Sequence, residues 1–147
     1  MGNLLSQYFA NFYLSKFDHW LKEIKKIKYY YRYCDDIVIL SNNKQYLRDI
    51  FEEIRKYLDI NLKLKIKSNF QIFPTNIRGI DFVGYKHFHT YVKLRKSIKQ
   101  RFKKMLKDNY NQKSINSYNG WLKHGNCINL KNKYLNHEQE RSNQKVR

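Results

Sequence analysis

The sequence has little of the material from which disulfide-rich, membrane-spanning or low-complexity proteins are built. It contains two cysteines, one proline and five glycines in 147 residues. Cys34 and Cys127 are too few and too far apart for a disulfide framework or a zinc ribbon. No apolar run approaches the roughly 20 residues that cross a bilayer, and we recognise no secretory leader. These features predict a cytoplasmic protein of one domain or slightly more.

Acidic residues are also scarce. The chain has 12 Asp and Glu against 30 Lys and Arg, which gives a net charge of +18 at neutral pH. A surface with so much uncompensated positive charge predicts a polyanionic partner. Hydrophobic residues make up 41% of the chain and aromatic residues 16%, which is enough to bury a core and excludes a disordered tail.

The hydrophobic pattern predicts an α+β fold in which helices cover one face of an antiparallel sheet. Apolar residues at helical spacing predict helices at 6–26, from Asn42 or Asn43 to Leu58 and from Arg95 onward, and a last helix or helix pair at 114–135. Runs rich in β-forming residues predict strands at Tyr29–Tyr33, 37–40, 62–66, 70–73, 80–88 and 91–94, with a turn at His89-Thr90.

Two adjacent carboxylates, Asp35 and Asp36, lie between the first two predicted strands. The short separation of these strands predicts a tight hairpin with both carboxylates at its tip. Adjacent carboxylates repel each other, and a divalent cation with oxygen ligands relieves this repulsion best, so Mg²⁺ is the first candidate. Asp is also a common turn residue, which is the simpler interpretation. The β-rich flanks favour the metal site, because they would hold the tip rigidly.

Five segments resemble those of one polymerase family. Tyr33-Cys34-Asp35-Asp36 in a strand–turn–strand resembles the Tyr-x-Asp-Asp signature of reverse transcriptases, and 2–7 (GNLLSQ) is similar to the palm motif that precedes it. Segment 81–85 (DFVGY) is similar to the segment that holds the primer end, and 93–95 (KLR) to the entry of the thumb. Ser6-Gln7 and 117–124 (SYNGWLKH) look most like reverse transcriptases of bacterial and phage diversity-generating retroelements.

The resemblance covers about residues 2–135 and implies an RNA-directed DNA polymerase. Such an enzyme extends a DNA primer on an RNA template with dNTPs and two Mg²⁺ ions, or with Mn²⁺ instead. It implies a partial palm at 1–92, a helical thumb-like region at 93–135 and a polar tail at 136–147. The family's third metal-binding Asp and its fingers would precede residue 2, so we expect this chain alone to be inactive. An accessory protein is a further expected partner for a retroelement enzyme, whereas a membrane is not.

The same resemblance gives roles to single residues. Asp35 and Asp36 become the catalytic pair; Asp35 is the better candidate for direct metal coordination, because consecutive residues leaving a strand point to different sides. Residues expected near the nucleotide or primer are Gly2, Gln7, Tyr33, Gly84 and Tyr85. Residues expected along the nucleic-acid backbone are Lys93, Arg95, Lys96, Lys99, Arg101 and Lys103. Few acidic residues offset these cations, so phosphate contacts explain them better than ion pairs along a helix.

Simpler roles stay open for some of these residues. Tyr33 could be an ordinary cross-strand aromatic, and Gly84 could mark a strand bulge. The five histidines form no i,i+4 pair, so no zinc site is expected, and the two cysteines are given no reaction.

Two other functions also stay open. A binding-only protein would hold RNA or single-stranded DNA by charge and stacking, with the carboxylate pair as a plain turn. A metal-dependent nuclease would need a further ligand near the hairpin. The acidic candidates for that ligand are Asp49, Glu52, Glu53 and Asp81.

Overall fold

The computed structural model describes residues 4–108, 112–130 and 132, and the chain divides into two compact units between Phe73 and Pro74. The first unit contains α1 (Leu4–His19), a π-helical turn (Trp20–Ile24), β1 (Tyr29–Tyr33), β2 (Asp36–Leu40) and α2 (Lys44–Leu62). The second contains α3 (Thr75–Arg78), β3 (Ile80–Phe82), β4 (Tyr85–His87), β5 (Val92–Leu94), α4 (Lys96–Asp108) and α5 (Gln112–Lys123). The fold is therefore α+β, as the hydrophobic pattern predicts.

The strands of the described residues form two separate antiparallel sheets, one in each unit, and not the single sheet that the sequence predicts. The first unit has the two-stranded hairpin β1–β2, and the second has the meander β3–β4–β5. The predicted boundary between the palm-like and thumb-like regions, at 92/93, falls inside β5. The predicted tail, 136–147, lies outside the described residues.

The core of the first unit joins both of its long helices to one face of the hairpin. Phe17 and Leu21 are completely buried, and they belong to one apolar cluster with Tyr30 of β1. From α2, the cluster receives Ile50, Ile54 and Leu58. The i,i+4 spacing of these three residues confirms the predicted apolar stripe. The predicted N-cap is also confirmed, because the Asn43 side chain accepts a hydrogen bond from the Tyr46 N–H at 3.1 Å.

Two predicted strands of the first unit are wrong. At 62–66, the helix α2 continues to Leu62 and then ends on Lys63 in a left-handed conformation, with φ of 52°. The N–H of Leu64 closes this end by bonding the Leu58 carbonyl at 3.0 Å. At 70–73 no strand forms either; the Phe70 ring instead stacks on Phe51 of α2, with centroids 3.9 Å apart. In both segments, contacts with α2 replace strand pairing.

One continuous strand is predicted at 80–88, but the structure has two short strands there, β3 and β4. Val83 and Gly84 both have positive φ, 46° and 79°, so they form a tight turn that pairs Phe82 with Tyr85. A side chain at Gly84 would also collide with Trp121, whose ring lies 2.3 Å from the position of an added Cβ. Glycine is therefore required there by both conformation and space.

The predicted turn at His89-Thr90 lies between β4 and β5, where the Phe88 N–H bonds the Tyr91 carbonyl at 2.9 Å.

The core of the second unit forms where α4 and α5 pack with the meander. Its buried members are Leu94, Phe102, Leu122 and Cys127. The helix predicted after Arg95 is confirmed as α4. A helix or a helix pair is predicted at 114–135; α5 ends at Lys123, a turn follows, and residues 128–130 are helical again, which fits the helix pair, while residues 131 and 133–135 lie outside the described part. None of the helices described combines the length and apolarity of a membrane span.

Candidate functional site

The carboxylate pair lies on a hairpin with a two-residue turn. β1 and β2 pair in antiparallel register from Tyr29 with Leu40 to Tyr33 with Asp36. Cys34 and Asp35 form the turn, and Cys34 has a left-handed φ of 52°. The prediction that both carboxylates lie in the turn is thus corrected: Asp36 is the first residue of β2. Two-residue turns match the twist of paired strands, which explains why the hairpin closes more tightly than the sequence spacing indicates.

Both carboxylates are exposed. The Asp35 carboxylate has one neighbouring charge, the Lys67 ammonium at 3.6 Å, and both side chains are 80% exposed. Such an exposed ion pair contributes little and is readily displaced. Among the residues that the structure describes, Asp36 has no ion-pair partner. Both carboxylates are therefore accessible to a cation from solution.

The chemistry of this pair fits one side of a magnesium site. Carboxylate oxygens are the ligands that Mg²⁺ prefers, and here two carboxylates extend from the end of a paired hairpin. Within the described part of the chain, no group of three or more His, Cys, Asp or Glu side chains lies together as a metal site. A two-ion site needs carboxylates that bridge both ions. The hairpin therefore fits part of such a site and does not complete it.

The four acidic residues considered as further ligands have other partners. Asp49 accepts a hydrogen bond from Gln45 at 2.9 Å. Glu52 pairs with Arg55 at 2.6 Å, Glu53 with Lys25 at 2.5 Å, and Asp81 with Arg95 at 2.6 Å. Asp81 belongs to the second unit. Because these four carboxylates have other partners, they do not provide the additional metal ligand that a nuclease site would need.

An arginine clamp, formed by Arg32 of β1 and Asp18 of α1, fixes the base of the turn. The Arg32 Nε and Nη2 atoms donate to the two Asp18 oxygens at 2.8 and 2.5 Å. The Arg32 Nη1 atom donates to the Cys34 carbonyl at 2.9 Å and to Asn11 Oδ1 at 3.0 Å. One guanidinium therefore connects the helix to the backbone carbonyl immediately before Asp35.

Tyr30 completes the clamp from the same strand face. Its hydroxyl donates to Asp18 Oδ1 at 2.5 Å. Burial raises the pKa of Tyr30, and the hydrogen bond to the Asp18 carboxylate raises it further. Partial burial also tends to raise the pKa of Asp18, but the hydrogen bonds from Arg32 and Tyr30 and the guanidinium charge outweigh it, so the pKa is lowered from 3.8. The carboxylate is thus held in its charged form.

Sequence reasoning missed this clamp. The available signal was the period-2 alternation of β1, which puts Tyr30 and Arg32 on one strand face. Asp18 is the only acidic residue of α1, and it is therefore the natural partner for a cation on that face. The pairing itself depends on the angle at which helix and strand cross, which no local pattern encodes.

The residues predicted to contact nucleotide or primer fall in different parts of the chain. Gly2 lies outside the described residues, and Gln7 lies in α1. Tyr33 is the last residue of β1, and its side chain is 58% exposed. Gly84 and Tyr85 belong to the second unit and have local structural contacts there.

Tyr85 packs against the apolar cluster of its own unit. Its hydroxyl donates to the Trp121 carbonyl at 2.8 Å. Partial burial raises the pKa of Tyr85, and the nearby Cys127 thiol adds to that shift. These contacts favour a structural role for Tyr85.

The predicted backbone-binding cations fall into two groups. Lys93 and Arg95 are engaged within the second unit: the Lys93 ammonium lies 4.7 Å from the Tyr91 ring centroid, and Arg95 pairs with Asp81. Lys96, Lys99 and Arg101 are exposed on α4, and Lys103 is half-buried. Within the described residues, no carboxylate pairs with the three exposed cations. They remain the best candidates for phosphate contacts.

Comparisons with known proteins add no relative. No protein-family model matches the chain, and a search of curated proteins finds none that is similar. The candidate site therefore depends on the hairpin geometry and on the motif residues themselves.

The clamp leads to a pH-dependent prediction. Asp18→Asn should lower the free energy of unfolding by about 1–3 kcal/mol at neutral pH, because it removes the charged acceptor of three hydrogen bonds. The folded-state pKa of Asp18 is lowered, so its stabilisation is present above the unfolded value of 3.8 and is lost as the pH falls through the folded value. Urea unfolding at several pH values should show the two chains converging below pH 3.8.

The matched control is Glu52→Gln, which breaks an exposed pair whose carboxylate side chain is 49% exposed. It should change the free energy of unfolding by no more than about 0.5 kcal/mol. A difference between parent and Asp18→Asn that stays constant from neutral to acidic pH would contradict the assigned pKa shift.

Proposed function

We propose that the β1–β2 hairpin is the catalytic hairpin of an RNA-directed DNA polymerase of the reverse-transcriptase type. The observation that supports this most is the placement of the Tyr-x-Asp-Asp residues. Tyr33 ends one strand, Asp35 occupies the turn, and Asp36 begins the paired strand. All three side chains are exposed at one end of the hairpin, where a primer terminus could reach them.

In this proposal Asp35 and Asp36 hold Mg²⁺ through their carboxylate oxygens. When bound, the ions would assist attack by the primer 3′-oxygen and neutralise the triphosphate. The protein residues supply position: the arginine clamp fixes the turn, and the exposed Tyr33 ring packs near the primer end. The activity also requires a further bridging carboxylate, which the described residues do not provide, and elements that grip template and dNTP.

The charge distribution favours catalysis over binding alone. A protein with a net charge of +18 attracts phosphates over much of its surface, but two exposed carboxylates repel phosphate locally. A purely phosphate-binding surface gains nothing from that repulsion. A divalent cation reverses it, because the cation binds carboxylate and phosphate oxygens together.

Paramagnetic Mn²⁺ tests the proposed site in the intact chain. Mn²⁺ accepts the same oxygen ligands as Mg²⁺, and its unpaired electrons broaden NMR signals of nearby nuclei. Substoichiometric Mn²⁺ should selectively broaden the backbone amide signals of residues 33–37. Asp35→Asn should weaken Mn²⁺ binding by about tenfold or more, because it removes a ligand, whereas Asp49→Asn on α2 should not.

Broadening spread evenly over all exposed carboxylates would contradict the proposal, as would broadening at 33–37 that survives Asp35→Asn. The first outcome would favour the binding-only alternative, in which the two Asp residues are ordinary residues of a hairpin.

The exposed cations of α4 give a second prediction, which does not depend on catalysis. If Lys96, Lys99 and Arg101 contact phosphates, the logarithm of affinity for a primer–template duplex should fall linearly with the logarithm of salt concentration. Replacing all three by Gln should make the slope shallower by about 2–3, because each phosphate contact contributes roughly 0.7–0.9. Binding titrations at several salt concentrations measure this slope.

The matched control replaces Lys16, Lys44 and Lys56, three exposed lysines of the first unit, by Gln. This variant loses the same charge, so it separates local phosphate contacts from the effect of net charge. Equal slopes for the parent and the α4 variant, or equal reductions in both variants, would contradict a phosphate-binding role for α4.

A further inference from the structure

Three tyrosines lie on the face of β1 that points away from the core. Tyr29, Tyr31 and Tyr33 share the outer face of β1, and their side chains are 46%, 51% and 58% exposed. The alternate residues Tyr30 and Arg32 face α1 and take part in the core and the clamp. We refer to Tyr29, Tyr31 and Tyr33 as the tyrosine ladder.

The cross-strand partners of Tyr29 and Tyr31 are Leu40 and Val38, and this pairing leaves both tyrosines about half exposed. Within the described residues, none of its three hydroxyls has a hydrogen-bond partner and none of its rings stacks on another. A single exposed aromatic side chain is common on protein surfaces. Three at i, i+2 and i+4 form a continuous aromatic strip, with ring positions about 7 Å apart along the strand.

The two ends of the ladder differ in charge. At the Tyr29 end, the Lys28 ammonium lies 5.3 Å from the ring centroid. Lys26 and Lys28 are both exposed, and no carboxylate pairs with either among the described residues. At the Tyr33 end are Asp35 and Asp36. The strip therefore offers exposed aromatic rings beside ammonium groups that no described carboxylate neutralises, with the carboxylate pair at the opposite end.

A ligand that matches this strip must carry regularly spaced flat rings and negative charges. Single-stranded nucleic acid has both, since its unpaired bases stack on aromatic side chains and its phosphates bind lysine. A duplex does not fit, because its bases are stacked within the helix. An apolar protein surface would match the rings but not the lysines.

We propose that the tyrosine ladder is a stacking platform for single-stranded RNA or DNA, with Lys26 and Lys28 binding phosphate beside Tyr29. The platform does not require the hairpin to be catalytic, so it goes beyond the proposed polymerase function. It assigns Tyr29 and Tyr31 a binding role that the Tyr-x-Asp-Asp resemblance does not give them.

The test compares ring-preserving and ring-removing variants in the full chain. Replacing Tyr29 and Tyr31 by Leu keeps the surface apolar and removes both rings. This double variant should bind a fluorescent single-stranded oligonucleotide at least about 30-fold more weakly, as expected when two base stacks are lost. Replacing both by Phe should retain affinity near the parent value. Tyr46→Leu, at an exposed tyrosine of α2, is the matched control and should also bind normally.

A strand of abasic residues separates stacking from structural damage. It keeps the phosphates but has no bases, so the parent and the Leu double variant should bind it equally. Equal losses on the normal and abasic strands would overturn the proposal, and so would parent-like binding of the normal strand by the Leu variant. Parent-like binding of the normal strand by the Leu variant would instead favour a protein partner for the tyrosine ladder.

A third measurement needs no substitution in the ladder. NMR signals of the tyrosine rings in the parent chain should shift at Tyr29 and Tyr31 when the oligonucleotide binds, and absence of these shifts would overturn the proposal. Conversely, replacing Tyr29 and Tyr31 by Leu should leave the Mn²⁺ broadening at residues 33–37 unchanged, because neither residue supplies a metal ligand. The metal site and the platform can therefore fail independently.

Discussion

The arginine clamp is the interaction on which the candidate site depends. Arg32 bonds both oxygens of Asp18 and also the carbonyl of Cys34. A two-stranded hairpin is at best marginally stable alone, so its position comes from the core beneath Tyr30 and from this guanidinium. The clamp also removes one carboxylate from competition for cations, because Asp18 is charged and already paired. The exposed carboxylates of Asp35 and Asp36 then lie at the end of the hairpin.

Successive side chains of β1 point to opposite faces, so the two faces of the strand have different surroundings. The inner face binds the helix through Tyr30 and Arg32, and the outer face exposes the tyrosine ladder. This division explains how a strand of five residues can be anchored on one face and still expose three tyrosines on the other. The proposed metal and stacking functions meet at Tyr33, which belongs to the ladder and lies beside the carboxylate pair.

The sequence predicts those parts of the fold in which the local pattern is decisive. The hairpin strands, the Asn43 cap and the α2 stripe follow from spacing and capping chemistry, and all three are confirmed. The predicted strand at 62–66 failed because α2 continues through Leu62 and its left-handed end at Lys63 uses the next residues. The strand at 80–88 failed because Gly84 can also occupy a tight turn.

The site could be predicted less completely than the fold. The Asp pair and its hairpin follow from the motif, but the exclusion of Asp36 from the turn depends on strand register. The clamp depends on a contact between residues 14 apart, which local spacing does not determine. Likewise, Arg95 looks like a free phosphate ligand in the sequence, and only the three-dimensional structure brings it to Asp81.

The end of the hairpin is proposed to receive a primer terminus, and photocrosslinking tests this role most directly. A primer that ends in 4-thiothymidine can be annealed to an RNA template, bound to the chain and irradiated, and the attached peptide can be identified by mass spectrometry. We predict that the crosslink maps to residues 31–37 and is lost when the thiobase is moved far upstream in the primer. Crosslinks confined to α4 and α5, with none on the hairpin, would contradict the proposal.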